Sequence, residues 1–471
     1  MIIQFATNSY TSNSLPLSAQ RCVNAYAERE PPPPGGAKSP IAVFGAPGLT
    51  AFAICGTGPV RGMHVMGGLL YVVSGQTLYS VSSTGVVTTL GGAVTGNGVV
   101  SMADNGTQLC IVNGTNGYIY SVSLGFVVIS DPNFHAANVV TFFDNVFVFN
   151  WAGTNKFFIS NTLDGLNYNG LAFGSAEVTS ANLFSVVNQQ ETLLLFSGDH
   201  TETWYDAGAV NMPFLRVDGA TIERGCAAAL TTVKEDNSVF FLGNDLIFYR
   251  LNITQPVRVS THAIEDAWQS YSTVSDAFAF SYTFEGHKFV VITFPTANKT
   301  WVYDISTGLW HERESLDMNN RTYGRWRGNC YAQCYNHGLV GDQFSGAIGY
   351  LDRVNFTEFG NTMREVLVSP PLSNERKRTF VSLFELDVET GVGLPTGQGS
   401  DPQIMLDWSR DGGRTFVGLS LWDTMGKIGQ YLTRVRWLRL GQSRQWYFRV
   451  TITDPVRRTI IAASGDVSSG M

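Results

Sequence analysis

Written beneath one another, three segments share one outline of apolar run, turn and apolar run: LLYVVSGQTLYSV (69–81), LCIVNGTNGYIYSV (109–122) and VFVFNWAGTNKFFIS (146–160). The outline returns more loosely in TLLLFSGDHTETWYD (192–206), VFFLGNDLIFYRL (239–251), FVVITFPTANKTWVYDIS (289–306) and GLVGDQFSGAIGYLD (338–352). Anchored on the aromatic of the second run, the copies fall at Tyr79, Tyr120, Phe158, Tyr205, Tyr249, Tyr303 and Tyr350. Their spacing of roughly 45 residues is the length of a propeller blade. Each hairpin is therefore expected to form the inner strands of a four-stranded blade. One blade cannot bury both faces alone, whereas six or seven around an axis bury all but the rims and the central channel. The segment WVYDISTGLWHERES (301–315) has the outline of a kelch blade edge, with a tight turn at Ser306-Thr307-Gly308 and a return strand starting near Trp310. The best helical candidate is THAIEDAWQSYS (261–272), with Ile264, Trp268 and Tyr271 on one face.

After residue 360 the repeat stops, and Pro370-Pro371 introduces strict alternation. Phe384, Leu386 and Val388 alternate in one run, Ile404, Leu406 and Trp408 in the next, and Trp446, Phe448, Val450 and Ile452 in a third. This predicts an antiparallel sandwich, interrupted by a glycine-rich excursion, GVGLPTGQGSDP (391–402), that is mobile or orders on a partner. Ahead of the repeats, EPPPPGG (30–36) holds the chain extended as a stiff linker or an arm lying on another subunit. The expected fold is all-β: an N-terminal extended arm and assembly segment over 1–57, a six- or seven-bladed β-propeller over 58–360, and a C-terminal antiparallel β-sandwich over 361–471.

Composition agrees with strands and tight turns: 44% of the 471 residues are hydrophobic, only 15% are charged, and there are 49 Gly and 30 Phe. The net charge of -7 is unevenly spread: residues 361–471 hold 14 Lys and Arg against 11 Asp and Glu, a net +3, which leaves 17 against 27, a net -10, for residues 1–360. No broad basic surface for gripping nucleic acid follows. Arginines gather late, in ERKR (375–378) and at Arg434, Arg436, Arg439, Arg444 and Arg449, as charges that protect outward strand positions or meet a partner protein, with phosphate contact as the alternative. The six cysteines, Cys22, Cys55, Cys110, Cys226, Cys330 and Cys334, lack the spacing of a disulfide framework and are expected to be reduced and mostly buried. The N-terminus lacks a signal-peptide pattern, and no run approaches the length of a membrane span.

Candidate chemistry narrows the picture further. SRDGGRTF (409–416) fits the Asp-box turn of sialidases and other glycosidase propellers, with Ser409, Asp411, Gly413, Thr415 and Phe416 in the pattern. It lies outside the repeat, between QIMLDW and TFVGLS, where Asp411-Gly412-Gly413 suits a tight hairpin and Ser409 and Asp411 can hydrogen-bond its backbone. The pattern is a folding device and carries no sugar chemistry. Arg61, Arg216, Arg224, Arg250 and Arg258 show no sialidase spacing, and carboxylate pairs among Glu191, Glu202 and Asp206 are unspecific. The seven histidines are isolated, and HExxH, GxSxG and Walker patterns are absent. Cys330, Cys334 and His337 suggest a metal corner, but the spacing is loose and no second Cys/His pair follows. The residues thus point to no enzyme, no metal and no cofactor.

The N-terminal block decides among the remaining readings. Val23-Asn24 with Tyr26 and Glu28, then Pro47-Gly48-Leu49-Thr50, then Gly58-Pro59-Val60-Arg61-Gly62, with Leu70-Tyr71 and Leu78-Tyr79, resembles the packaged DNA stabilisation proteins of short-tailed bacteriophages, the tail hub or nozzle family. The match is specific over the first 90 residues and architectural over the rest. The resemblance implies a virion-tail protein, assembled in the bacterial host cytoplasm as a homo-hexamer. Its implied partners are a head-tail adaptor ring above and a tail needle or tail fibres or spikes below, with double-stranded DNA passing through without sequence recognition. The competing expectation is a carbohydrate-binding or glycosidase-like propeller acting on host surface glycans. It requires aromatic platforms such as Trp204 or Trp310 to be exposed; the nozzle reading packs them between blades.

Overall fold

The computed structural model describes residues 2–3, 5, 7–29, 40–375, 377–417 and 421–470. The polyproline stretch at 30–36, Arg376 of the ERKR cluster and the end of TFVGLS lie outside the described residues. Seven antiparallel units of four strands succeed one another, so the blade number is seven. Blade 1 spans Val60–Met66 to Val87–Gly92, blade 2 Ser101–Asp104 to Gly125–Val128, blade 3 Val140–Phe143 to Phe173–Ser175, and blade 4 Leu183–Gln189 to Phe214–Arg216. Blade 5 runs from Val233–Glu235 to Gln255–Arg258 and blade 6 from Phe278–Phe284 to Leu309–Asp317. Blade 7 takes Gly328–Cys334, His337–Asp342 and Ala347–Asp352 from its own stretch, and its fourth strand, Gly48–Ile54, from the N-terminal segment.

All seven anchoring aromatics fall on the third strand of a blade, and the repeated hairpin is the second and third strands. These central strands are buried along their whole length in several blades, as in Gly117–Ser121, Val146–Asn150 and Ser238–Leu242. Burial on both faces follows because each blade is covered by a neighbour on either side, so apolar residues run continuously there instead of alternating. Five of the hairpins joining first to second strands turn through two consecutive residues with positive φ: Gly67-Gly68, Asp144-Asn145, Asp236-Asn237, Glu285-Gly286 and Tyr335-Asn336. That geometry matches the twist of the flanking strands. The helix His262–Gln269 fills the step from blade 5 to blade 6, burying Ile264 and Trp268 against Phe248, Phe294 and Trp310, with Tyr271 alongside.

The sandwich has two sheets. One orders Ala25–Arg29, Ile41–Gly45, Thr459–Ser469, Thr379–Val388 and Val435–Ser443; the other orders Ala19–Val23, Glu365–Val368, Gln445–Ile452, Gln403–Ser409 and Leu421–Thr424. The alternating residues Phe384, Leu386, Ile404, Leu406, Phe448 and Val450 meet between them, and Trp408 packs at the margin. The extended N-terminal arm is thus drawn into strands of both sheets before it crosses to close blade 7. Val23 pairs in parallel with Glu312 on the outer strand of blade 6 and antiparallel with Val366, so one sheet runs unbroken from propeller into sandwich. The excursion at 391–402 is tethered within the chain: the Gly391 N–H donates to the Met425 carbonyl at 3.0 Å, and Val392 and Leu394 pack on the sandwich core.

Candidate functional site

The residues of the N-terminal motif gather where the propeller closes and where the sandwich joins it. Asn24, fully buried with a φ of 53°, sits at the joint. Asparagine tolerates that left-handed backbone better than most residues. Its Nδ2 donates to the carbonyls of Glu314 at 2.9 Å and Arg364 at 2.7 Å, and its Oδ1 accepts the Glu314 N–H at 3.1 Å. Its own N–H donates to the Glu312 carbonyl, and its carbonyl accepts the Ala46 N–H, each at 2.9 Å. One side chain and its peptide groups therefore join blade 6, the start of the sandwich and the closing segment.

Ion pairs flank this hub. Arg21 holds Glu312 in a two-pronged contact at 3.0 and 2.6 Å, Ser9 Oγ adds a bond at 3.1 Å, and Arg364 grips Glu314 at 2.8 and 2.6 Å. Burial by itself would raise the Glu312 carboxyl, but the Arg21 guanidinium overrides it and holds the group below its ordinary value. Tyr26 is buried against Phe44, His287 and Phe289 and donates its hydroxyl to Glu285 at 2.9 Å. The Pro47 carbonyl accepts from Arg313 Nη2 at 3.1 Å, and Leu49 is buried between blades 6 and 7. Gly48 lies so close to the backbone of Asn355 and Thr357 that a Cβ would fall 2.3 Å from the Asn355 carbonyl oxygen.

The next part of the motif braces blade 1. Gly58, with φ of 82°, backs onto Ser345, and Pro59 follows it, lining a cavity shared with Asn138 and Phe278. A Cβ on Gly62 would meet Val100 at 2.6 Å, so the glycine lets the first strand of blade 1 approach blade 2. Arg61 is buried and donates to four backbone carbonyls, Gly98 at 2.7 Å, Gly75 at 2.9 Å, and Val94 and Thr95 at 2.8 Å each. It thereby fastens the connection between blades 1 and 2. Arg61→Met keeps the apolar stem and removes these donors; three of the four acceptors are partly open to water, so the expected loss is about 2 kcal/mol. Urea denaturation followed by tryptophan fluorescence checks it, and unchanged stability would show that water replaces the guanidinium.

On the second sheet, at a cavity that Arg21 and Arg364 also line, the Asp-box pattern forms a closed set of turn bonds. Ser409 Oγ donates to Asp411 Oδ1 at 2.7 Å and accepts the Gly413 N–H at 3.0 Å. Asp411 accepts the N–H groups of Arg414 at 3.0 Å and Thr415 at 2.9 Å, and the Thr415 hydroxyl. These bonds, the one from Ser409 foremost and those from Thr415 next, hold the Asp411 carboxyl well below the usual carboxylate range. Gly412 and Gly413, with φ of 78° and 84°, press against Pro16 and Ala19, and Phe416 lies under the Arg449 guanidinium at 4.4 Å. The turn thus seats the N-terminal segment on the second sheet. Asp411→Ala is expected to lower stability by about 1 kcal/mol at neutral pH, because the group is exposed and water replaces part of each bond. Its contribution exists above the ordinary carboxylate range and fades as pH falls through about 4 and below, so wild type and variant converge in acid. Paired melts at neutral and acid pH test the convergence.

Other candidates remain apart. Arg216, Arg224, Arg250 and Arg258 lie on blades 4 and 5, each beside a carboxylate: Asp218, Asp245, Asp236 and Glu265 respectively. Glu202 is buried, accepting from Trp204 Nε1 at 2.9 Å, while Glu191 and Asp206 are exposed. Cys330 and Cys334 sit in an apolar cluster, and His337 stacks on Tyr350 at 4.7 Å. Trp204 and Trp310 are both buried between blades. One pair carries no sequence signal: Glu365 and Arg458 are fully buried in the sandwich, and among the described residues both carboxylate oxygens and the Nε and Nη1 of Arg458 lack hydrogen-bond partners. Burial pushes the Glu365 carboxyl up to about 8, against the pull of Arg458.

A propeller whose last blade is closed by an N-terminal strand, fused through the same segment to a sandwich, defines a two-body all-β structural protein. Two family models divide the chain along those bodies: the β-propeller of bacteriophage P22 Gp10 matches residues 20–355, and its β-sandwich matches residues 364–468. The chain belongs to this family, the tail nozzle and DNA stabilisation proteins of short-tailed phages, and is a structural component of the phage tail. No curated protein matches it. Among solved structures it is similar to PorZ of the type-IX secretion system of Porphyromonas gingivalis, at 10% identity and a TM-score of 0.37, covering 72% of this chain and 44% of that one. It is similar also to the N-terminal domain of Nup159 (8%, 0.39, covering 71% and 99%) and to BamB from Moraxella catarrhalis (6%, 0.37, covering 71% and 98%). Likenesses at these scores carry no functional weight. Among the described residues no helix is long and apolar enough to cross a membrane.

Proposed function

We propose that six copies form a ring below the portal and head-tail adaptor. The ring extends the DNA channel, helps retain the packaged genome, and holds the tail needle or the fibres or spikes. The role is assembly and gating, not catalysis, and the copies are made and assembled in the host cytoplasm. In this reading the chain divides into an assembly segment (1–57), the propeller (58–360) and the sandwich (361–471), and the assembly segment lends strands to both bodies.

The observation that supports it most, beside the family, is the unbroken sheet across Val23, with Asn24 bonded on both sides of the joint. A conduit wall under load needs its two bodies to move as one, and paired strands with a buried hub supply that stiffness. Those acids of residues 1–360 that face the passage would offer phosphates no counterion-release affinity. The motif residues Val23, Asn24, Tyr26, Pro47, Gly48, Leu49, Gly58, Pro59, Arg61 and Gly62 act in this reading as the clasp that makes the two bodies one, and Ser409, Asp411, Gly413, Thr415 and Phe416 as a turn that seats the N-terminus. The glycan-directed reading loses its platforms, since Trp204 and Trp310 are buried. Native mass spectrometry of the purified protein, alone and with its adaptor ring, is the test. Sixfold rings support the proposal; a chain that stays monomeric with the adaptor and binds or cleaves glycans sinks it.

A further inference from the structure

Two open surfaces of the chain carry opposite charge. Residues 424–444 of the sandwich hold Lys427, Arg434, Arg436, Arg439 and Arg444 and no acid, a net +5, and all five are exposed. Arg439 and Arg444 have no ion pair among the described residues, whereas Lys427 faces Asp401, Arg434 holds Glu385, and Arg436 lies across the strand pair from Glu385 with its N–H on Asp423. The same strip exposes the large apolar side chains Tyr431, Leu432 at 97% and Leu438, and Trp422 just ahead of it is exposed as well. Both sheets end here, at Val435–Ser443 and Leu421–Thr424, with Trp437 Nε1 bonded to the Leu421 carbonyl at 3.0 Å. A free edge of this kind, apolar and basic, is normally covered.

Blade 4 is its counterpart. Residues 177–223, blade 4 with its flanking connections, hold seven acids against Arg216 alone, a net -6, more than half of the -10 of residues 1–360. Six of the acids are exposed and only Glu202 is buried. Its outer strand, Phe214–Arg216, is also a free sheet edge, with Tyr205, Val210 at 89% and Leu215 exposed beside Asp206 and Asp218. Blade 4 forms no strand pairing with the sandwich of its own chain, which joins blade 6 instead.

We infer that the basic, apolar edge of the sandwich docks on the acidic outer edge of blade 4 of a second copy. Each surface repels itself, so a twofold pairing is disfavoured and the contact is head-to-tail. Repeated with a closing rotation, such a heterologous contact generates a ring. The inference rests on the ring proposed above and names the surfaces that build it. Charge accounts for specificity and for the rate of encounter, and the apolar side chains supply the dry centre.

Charge reversal tests it. Arg439→Glu with Arg444→Glu, or Asp206→Lys with Asp218→Lys, is expected to lower the ring fraction about tenfold or more in native mass spectrometry of the protein with its adaptor. Raised salt has the same direction of effect on wild type. Mixing the two reversed proteins restores a contact in which each altered surface meets the other, so mixed oligomers reappear. Melting temperatures stay unchanged, because all four residues are exposed. Rings that form from both reversed proteins as readily as from wild type overturn the inference and leave the ring reading standing. A wild type that forms no ring at all overturns both.

Discussion

Replacing Asn24 with alanine costs about 3 kcal/mol and splits the thermal transition in two. The side chain makes three hydrogen bonds in a fully buried place, two to carbonyls on different bodies and one from the Glu314 N–H. Removing it orphans those groups, at about 1 kcal/mol or more each, and leaves alanine at a φ of 53° that disfavours it. The contacts that remain across the joint are the bridge at Val23, the residue-24 N–H to the Glu312 carbonyl, the Arg21 and Arg364 pairs, and the bonds of Ser9 to Glu312, Tyr26 to Glu285 and Arg313 to the Pro47 carbonyl. Differential scanning calorimetry is expected to show one cooperative transition for wild type and separate propeller and sandwich transitions for the variant. Asn24→Gly relieves the backbone but not the lost bonds, so it recovers only part of the stability. A variant that melts as a single unit at the wild-type temperature would show that the remaining contacts across the joint are sufficient.

Glu365→Gln is expected to stabilise the protein in mild alkali and to leave it nearly unchanged below about pH 5. In the folded chain the carboxyl titrates at about 8, raised from its ordinary 4.5 by burial. Between those values the folded state keeps a proton that the unfolded chain has released, so stability falls as pH rises and is fully lost above the folded value. Each pH unit in that window costs about 1.4 kcal/mol in the limit of complete desolvation. With Arg458 nearby and some relaxation of the site, a loss on the order of 3 kcal/mol across the window is expected. Glutamine mimics the protonated acid without its titration, so the stability curve of the variant is flat where wild type slopes. Urea melts at pH 5, 7 and 9 decide it; parallel curves would mean that the two buried groups are ion-paired in solution.

The repeating hairpin was legible because it is local. Apolar runs on both sides of a turn, with an aromatic in the second run, report two central strands from a dozen consecutive residues, and Tyr79 through Tyr350 fall on equivalent strands. The alternation of Phe384, Leu386, Ile404 and Leu406 reported the sandwich for the same reason. The closure of blade 7 was not legible, since Gly48–Ile54 finds its partner about 300 residues away and nothing in GLTAFAI specifies Ala347–Asp352. Asn24 showed only as part of a resemblance; its role depends on three segments meeting around one amide. Glu365 in EVLV and Arg458 in VRRT read as ordinary strand charges, and only the packing of two sheets places them inside.

The closing strand also sets an order in time. On the ribosome Gly48–Ile54 emerges long before Ala347–Asp352, and at about 5–20 residues per second the interval lasts roughly 15–60 s. Throughout it the strand is an open sheet edge waiting for the last blade. A chain cut short anywhere in the propeller therefore never completes the circle, and the same segment, still untethered, cannot carry the sandwich. In the ring proposed above, only finished copies would present a rigid surface for others to join, which would make completion of synthesis a condition for entering it.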